Sequence, residues 1–283
     1  MCPVQRRREH RDVIWNTNKG WWEYGNKDKS IEEFYESIEE NFRLKRKNSN
    51  KIEFLTTVEY LSKYLEPSSK ILDACAGGGI YSFYFADSGH QVYAGDLVKK
   101  NVEDILNNQE EHLKLREIFE GSILDLHRYD DETFDMVLNL GSYYHLIETN
   151  KRIQSLEESL RVLKKGGIYA IGYVNRYSNV IKFRDMFTKD FDLLLDYIDK
   201  GYHSKNKVFY CTTPKLIEDE LSDFDIAILH HVAADGMKFI IGDVVNELDE
   251  EGFNKWMKFH LSTCEDRSIL GSSEHGLIIA RKL

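Results

Sequence analysis

The amino-acid sequence predicts an α/β protein with a doubly wound, mainly parallel sheet of seven strands and additional helical cap elements. Short apolar runs of β type alternate with helical stretches between residues 70 and 173. Such alternation requires crossover helices on both faces of a parallel sheet. Three consecutive glycines at 77–79 join the first of these runs directly to a helical stretch. Together these observations predict a sheet whose ligands lie at the carboxyl ends of its strands.

The individual elements follow from the spacing of apolar residues. A helical pattern occupies 31–42, and a second occupies 52–65. Strands are predicted at 70–75, 91–96, 118–121, 134–140, 167–173, 224–231 and 276–280. Helices are predicted near 80–88, 99–116 and 150–164, over most of 177–221, and at 251–264. A short β pattern also occurs at 239–241.

These elements divide the chain into four parts of one elaborated domain. An N-terminal arm and cap helix span 1–49, and an α/β core spans 50–176. A helical cap insertion spans 177–221, and residues 222–283 complete the core sheet. The chain has only three prolines and no proline-rich stretch, which argues against a linker between domains. The segment 177–221 is interpreted as an insertion because both of its flanks belong to the same sheet.

Composition and charge exclude several classes of protein. With 283 residues, of which 42% are hydrophobic, the chain can bury a large core, and this excludes disorder. No apolar run approaches the roughly 20 residues of a membrane span. The polar, basic start shows no signal peptide, so we expect a cytoplasmic protein. The four cysteines form neither a metal motif nor a disulfide framework. A net charge of −10 argues against a broad nucleic-acid interface.

The glycine turn predicts a site for a polar or anionic ligand. Glycines at 77–79 let the chain turn tightly and let a ligand approach the main chain. The following helix offers unpaired N–H groups at its start. Asp96 ends the next strand, where its carboxylate can accept both hydroxyls of a ribose. This pattern fits NAD as well as S-adenosylmethionine, although Ser82 stands where a dinucleotide motif has its third glycine.

Motifs after the third and fourth predicted strands and before the fifth help to decide between NAD and S-adenosylmethionine. A glycine follows the third predicted strand, Tyr-His-Leu follows the fourth at 144–146, and Leu-Arg-Val-Leu-Lys-Lys-Gly-Gly at 160–167 leads into the fifth. With these motifs the sequence resembles the class I S-adenosylmethionine-dependent methyltransferases over 50–173, and more loosely over 224–231 and 276–280. A small-molecule branch of that family is similar also at Tyr35, at Arg43-Leu44 and at 263–275.

The resemblance implies a set of residues that bind S-adenosylmethionine and no metal. The methionine part of the cofactor would be held by Asp73, Ala74, Ala76, Gly77 and Gly79, with the carbonyl of Leu140. Asp96 would bind the ribose, and the adenine would lie between Leu97, Ser122 and Ile123. Tyr35 and Arg43 would fold over the cofactor's carboxylate. Alternatively, Arg43 is an exposed base on a solvated helix end.

The candidate catalytic residues leave the predicted strands at the same edge of the sheet. They are His145, Tyr144 and Tyr177. His145 is the natural general base because it titrates near neutrality; alternatively, it packs beside the adenine or caps the next helix. An aromatic wall would suit a planar or a cationic acceptor, and its members would be Trp21, Trp22, Tyr35, Tyr143, Tyr144 and Tyr177. Asp235 either meets a cationic acceptor or belongs to a turn before Gly236.

The expected function is methyl transfer to a small molecule or short peptide. Two caps, formed by the N-terminal segment and by 177–221, predict an enclosed pocket rather than an open groove. Methyl transfer chiefly requires positioning of the acceptor, so a general base is optional. Methylation of RNA is an alternative that rests on the basic stretch 6–11. A non-catalytic nucleotide-binding protein of the same fold is another.

Overall fold

The computed structural model describes Leu44 and residues 47–201 and 208–283. The helix predicted at 31–42 lies outside the described residues, as do Trp21, Trp22, Tyr35 and Arg43. Among the helices of the described part, none is both long enough and apolar enough to cross a bilayer.

Eight strands form one sheet. They are β1 (Lys70–Asp73), β2 (Gln91–Asp96), β3 (Glu117–Glu120), β4 (Phe134–Asn139), β5 (Leu163–Asn175), β6 (Cys211–Thr212), β7 (Ile226–Ala233) and β8 (His275–Lys282). Their order is β3-β2-β1-β4-β5-β8-β7, and the short β6 pairs with β5 off this path. The first five strands pair in parallel, whereas β8 runs antiparallel to both β5 and β7. The doubly wound, mainly parallel sheet is confirmed, with eight strands where seven were predicted.

Helices cover the sheet and fill the connections. They are α1 (Asn48–Ser62), α2 (Ile80–Asp87), α3 (Lys99–Asn108), α4 (Thr149–Val162), α5 (Arg176–Lys182), α6 (Arg184–Phe187), α7 (Phe191–Lys200), α8 (Pro214–Leu221), α9 (Lys238–Asn246), α10 (Glu250–Thr263) and α11 (Arg267–Leu270). Local sequence sets several of their starts. Thr213 caps α8 by accepting the Leu216 N–H ahead of a first-turn proline, and Asp249 caps α10 by accepting the Gly252 N–H at 2.8 Å.

The core lies on both faces of the sheet. Ile71 and Leu72 are neighbours in β1, and both are fully buried, but they belong to different apolar clusters. Met136 and Val137 of β4 divide in the same way. Successive side chains of a strand point to opposite faces, so central strands covered on both sides are apolar throughout. This burial explains why the strands read as short continuous apolar runs.

Three local predictions differ from the structure. The β pattern at 239–241 is wrong, because these residues belong to α9, whose buried Gly242 and Val245 are three residues apart. The segment 177–221 is helical over most of its length but also contains β6. The helix predicted at 99–116 ends at Asn108 and is followed by a 3-10 turn, Gln109–Glu111.

The strand directions bring polar residues to one edge of the sheet. β1, β2 and β4 end there at Asp73, Asp96 and Asn139. β5 ends there at Asn175. Because β8 is antiparallel, its first residue, His275, lies at that same edge. The candidate site is therefore expected at this carboxyl edge.

Candidate active site

A cleft with about 1060 Å³ of empty space, including the part open to solvent, lies at the carboxyl edge of the sheet. Its walls come from the loops after β1, β2, β3 and β4 and from α1. The lining residues are Leu44, Glu53, Ala74, Cys75, Ala76, Gly77, Gly78, Ile80, Tyr81, Asp96, Leu97, Val98, Asn101, Gly121, Ser122, Ile123, Leu140, Gly141, Ser142, Tyr144, His145 and Leu146.

The glycine turn forms the floor of this cleft. Gly77 has a φ of +52° and Gly79 a φ of +82°, conformations that glycine adopts without the steric cost of a Cβ atom. Gly79 is also the residue that begins α2, and a Cβ there would lie 2.9 Å from the Phe83 ring. The predicted turn from strand to helix is thus present, with Ala74, Ala76 and Gly77 lining the cleft and Gly79 behind them.

Asp96 lies at the end of β2 with its carboxylate at the cleft. It accepts hydrogen bonds from the Gly77 N–H at 2.8 Å, the Val98 N–H at 2.9 Å and the Asn101 side chain at 3.0 Å. Burial raises the pKa of Asp96, and these three donors partly offset the rise. The carboxylate therefore fixes the glycine turn, and it retains acceptor capacity toward the cleft.

Asp73 is buried beneath the same turn. Its Oδ2 accepts the Ser82 hydroxyl at 2.6 Å, whereas its Oδ1 has no hydrogen-bond partner among the described residues. Burial raises the pKa of Asp73 to about 7. Ser82, the residue that replaces a third glycine, thus orients this carboxylate. An unsatisfied buried oxygen is costly, so this atom suits a ligand donor.

The remaining predicted cofactor residues flank the cleft. Leu97 is 44% exposed, and Ile123 is buried. The Ser122 hydroxyl accepts the Leu124 N–H at 3.2 Å. The Leu140 carbonyl, expected to meet the cofactor, accepts the Tyr144 hydroxyl at 3.3 Å and keeps a second lone pair.

His145 and Tyr144 lie in a 3-10 turn after β4, and both line the cleft. His145 Nδ1 is 2.8 Å from the Val208 carbonyl oxygen, so Nδ1 carries the hydrogen and donates it. Burial lowers the pKa of His145 to about 4, and the ring is neutral near pH 7. A neutral imidazole of such low basicity accepts a hydrogen bond but takes a proton poorly.

Two other predicted aromatic residues lie away from the cleft lining. Tyr143 is fully buried, with the Arg152 guanidinium over its ring. Tyr177 is 51% exposed, and its N–H donates to the Asn175 side chain at the start of α5. Tyr144 therefore represents the predicted aromatic wall within the described part of the cleft, where its ring stacks on Phe209.

Glu53, a buried carboxylate of α1, also lines the cleft, although its sequence context did not predict it. It belongs to a group of six charged or titratable residues, which we call the Glu53 cluster: Glu53, Lys182, Asp235, Lys238, Glu274 and His275. The signal for this cluster in the sequence was the Ser273-Glu-His275 stretch. It is similar to the small-molecule branch of the family described above, but no role was predicted for it. A carboxylate in the middle of an otherwise amphipathic helix gives no comparable signal.

The Glu53 cluster is held by short contacts. His275 Nδ1 is 3.0 Å from Asp235 Oδ2 and 3.4 Å from Glu53 Oε2. Asp235 Oδ1 accepts the Ser273 hydroxyl at 2.7 Å and the His275 N–H at 3.1 Å. The two lysines pair with Glu274. Glu53, Asp235 and His275 bring ligand atoms within 4.8 Å of one another, but the ammonium groups of the lysines already supply positive charge here.

Comparison with known proteins agrees with this geometry. A family model described as a methyltransferase domain matches residues 72–171, which contain the glycine turn and Asp96. A ubiquinone biosynthesis O-methyltransferase from Rickettsia typhi is 27% identical over 188 residues, covering 65% of this chain and 71% of that protein.

Two solved structures share the fold. An S-adenosylmethionine-dependent methyltransferase from Methanosarcina mazei superposes with a TM-score of 0.53 at 18% identity, covering 79% of this chain and 97% of that chain. A protein from Pyrococcus horikoshii superposes with a TM-score of 0.54 at 16% identity, covering 87% of this chain and all of that chain. At these identities the likeness concerns the fold alone.

Proposed function

The chain belongs to the class I S-adenosylmethionine-dependent methyltransferases, and we propose that it methylates a small molecule or short peptide. The observation that carries the proposal is the cleft, which the glycine turn and Asp96 line together with Tyr144, His145 and Glu53. Its lining is mainly apolar with a few polar groups, as is usual for small-molecule sites. The name of the Rickettsia relative also supports a small acceptor.

The residues around the glycine turn fit S-adenosylmethionine, the cofactor of this family. The unsatisfied Oδ1 of Asp73 suits the amino group of the methionine part, and Asp96 has capacity for the ribose hydroxyls. Leu97, Ser122 and Ile123 offer the surfaces for an adenine. The assignment of Arg43 and Tyr35 to the cofactor's carboxylate stays a prediction, since both lie outside the described residues.

The proposed mechanism is catalysis by positioning. When bound, the cofactor supplies an electrophilic methyl group on a sulfonium. Tyr144, His145 and Leu146 would hold the acceptor against that part of the cleft, converting a bimolecular encounter into an oriented one. His145, which lines the cleft, would contact the acceptor and help to fix its orientation. Its low pKa supports this role over proton removal.

The function is tested by incubating the full chain with S-adenosylmethionine and fractionated small-molecule extracts, and by measuring S-adenosylhomocysteine formation. We expect turnover with a low-molecular-weight fraction and none with purified tRNA or intact protein. Tight calorimetric binding of S-adenosylmethionine without turnover on any fraction would instead identify a non-catalytic protein of this fold. Turnover on tRNA would overturn the proposed acceptor class.

A further inference from the structure

A buried arginine lies behind the loop that carries His145. Arg152 belongs to the first turn of α4 and is only 3% exposed, and it is not one of the residues that line the cleft. Burial of a charged group is costly unless the group is paired and hydrogen-bonded. A cation in the first turn of a helix also faces the positive end of the helix dipole. The stability of α4 therefore does not explain an arginine at this position.

The guanidinium group of Arg152 holds the end of the loop at 143–147, which follows β4. Its Nη1 donates to the Leu146 carbonyl at 3.0 Å and to the Ile147 carbonyl at 2.8 Å. Its Nη2 donates to the Thr149 hydroxyl at 3.0 Å. These hydrogen bonds tie the loop to the start of α4. Because Leu146 lines the cleft, the bond to its carbonyl acts directly on a residue of the cleft wall.

The same guanidinium group contacts two aromatic rings and a carboxylate. Its central carbon lies 3.8 Å from the centroid of the Tyr210 ring and 5.8 Å from that of the Tyr143 ring, which are distances of cation–π contacts. Its Nε lies 3.4 Å from Oε1 of Glu220, a residue of α8, and the side chains of this ion pair are 4% and 18% exposed. Glu220 thus balances the charge of Arg152 inside the protein.

Part of the helical insertion packs against the same loop. The Tyr210 N–H donates to the Tyr144 carbonyl at 2.7 Å. His145 donates through Nδ1 to the Val208 carbonyl at 2.8 Å. Arg152 contacts both sides of this junction, because it binds carbonyls of the loop and the ring of Tyr210. A planar guanidinium presents several donors in a fixed fork, and the single ammonium of a lysine does not reproduce this geometry.

We propose that Arg152 is a positioning residue for methyl transfer, which fixes the loop at 143–147 so that its cleft residues hold the acceptor in place. The inference rests on the proposed function, which assigns the acceptor to residues of this loop. Glu220 supports the role by balancing the buried charge. The residues proposed for the cofactor come mainly from the loops after β1, β2 and β3. A change at Arg152 should therefore affect the acceptor more than the cofactor.

The test removes both charges of the buried pair together. Loss of one partner would leave an uncompensated buried charge, whereas replacement of a whole buried pair is often tolerated. Arg152→Met/Glu220→Gln therefore removes the ion pair and the bonds to the carbonyls while keeping most of the side-chain volume. Arg152→Lys keeps the charge but loses the planar fork. Lys151→Met/Glu148→Gln is the matched control, because this ion pair at the start of the same helix is 47% and 59% exposed.

The first readout is the tautomer of His145, and it needs no acceptor. The hydrogen bond between Nδ1 and the Val208 carbonyl determines this tautomer, and NMR of the imidazole nitrogens reports it in the full chain. Wild type and the control should show one tautomer, with the hydrogen on Nδ1. Arg152→Met/Glu220→Gln should show a second tautomer as well, because the loop is no longer held against Val208. A single unchanged tautomer in this variant would overturn the proposal.

The second readout separates the acceptor from the cofactor. With the active small-molecule fraction at limiting concentration, the initial rate is proportional to kcat/KM for the acceptor. Arg152→Met/Glu220→Gln should lower this rate about tenfold or more, while the Kd of S-adenosylhomocysteine stays within about twofold of wild type. Arg152→Lys should recover part of the rate, and the control should match wild type in both measurements.

Two results of these measurements contradict the positioning role. An unchanged rate in Arg152→Met/Glu220→Gln would show that the cleft does not depend on Arg152. A loss of S-adenosylhomocysteine affinity as large as the loss of rate would show that Arg152 supports the fold as a whole. If wild type binds neither S-adenosylmethionine nor S-adenosylhomocysteine, the proposed function itself fails, and calorimetry on the wild-type chain distinguishes this result from a failure of the positioning role.

Discussion

Asp96 combines two tasks in one carboxylate, since it fixes the glycine turn and faces the cleft. Asp96→Ala should weaken binding of S-adenosylmethionine by about 2 kcal/mol or more, roughly 30-fold in Kd, because charge-assisted hydrogen bonds are lost. Isothermal titration calorimetry measures this directly. Asp104→Ala is the matched control, because Asp104 lies on α3 outside the cleft lining and faces Lys100. Unchanged affinity in Asp96→Ala would remove Asp96 from the cofactor site.

The burial of His145 predicts that the stability of the folded chain depends on pH, and it sets the direction of that dependence. In the folded chain its pKa is lowered to about 4, whereas in the unfolded chain it is about 6.5. Protonation therefore favours the unfolded chain as pH falls below about 6.5, and stability declines until the folded value is reached. At pH 5 the cost is about 2 kcal/mol. Between pH 7.5 and pH 5, the free energy of unfolding of His145→Gln should therefore fall by about 2 kcal/mol less than that of wild type. Urea unfolding measures this difference. His260→Gln, whose parent also has a pKa near 4, should behave similarly.

The proposed positioning role of His145 also predicts how its substitution changes the kinetic parameters. If His145 positions the acceptor, the His145→Gln variant should raise KM more than it lowers kcat, and the pH profile between about 5.5 and 8 should keep its shape. Loss of a profile inflection in the variant, together with a large fall in kcat, would restore the general-base interpretation.

Among the elements, the pairing of β5 with β8 places His275, a member of the Glu53 cluster, at the carboxyl edge of the sheet. Gly276 lies opposite Tyr173 in this pair, and a Cβ on Gly276 would lie 2.1 Å from the Tyr173 ring. Gly276→Ala should therefore lower the free energy of unfolding by about 1–3 kcal/mol through overpacking. Gly271→Ala is the control, since a Cβ there meets nothing within 4 Å, and it should change stability by less than about 0.5 kcal/mol. Equal effects in urea unfolding would show that the β5–β8 contact tolerates a side chain.

The elements also show what the sequence can and cannot predict. The strands were predictable because burial on both faces makes each an apolar run. The glycine turn was predictable because positive φ angles favour glycine there, and the place of Asp96 followed from the end of the predicted second strand. The short β6 was missed because two residues form no period. Glu53 was missed because its ionic contact is with His275, more than 180 positions away, and local sequence carries no sign of it.

On the scale of the whole molecule, 48 acidic residues stand against 38 basic ones. Neutralising phosphates requires clustered basic residues and makes binding strongly salt-dependent, so an acidic chain should not retain tRNA at about 0.15 M salt. A gel-shift titration over increasing salt tests this with the full chain and with a variant lacking residues 1–11. A salt-sensitive shift that the shorter chain loses would contradict the expectation and assign RNA binding to the basic stretch at 6–11. The absence of a shift in both chains would agree with the net charge of the molecule and would favour a small acceptor over a polyanion.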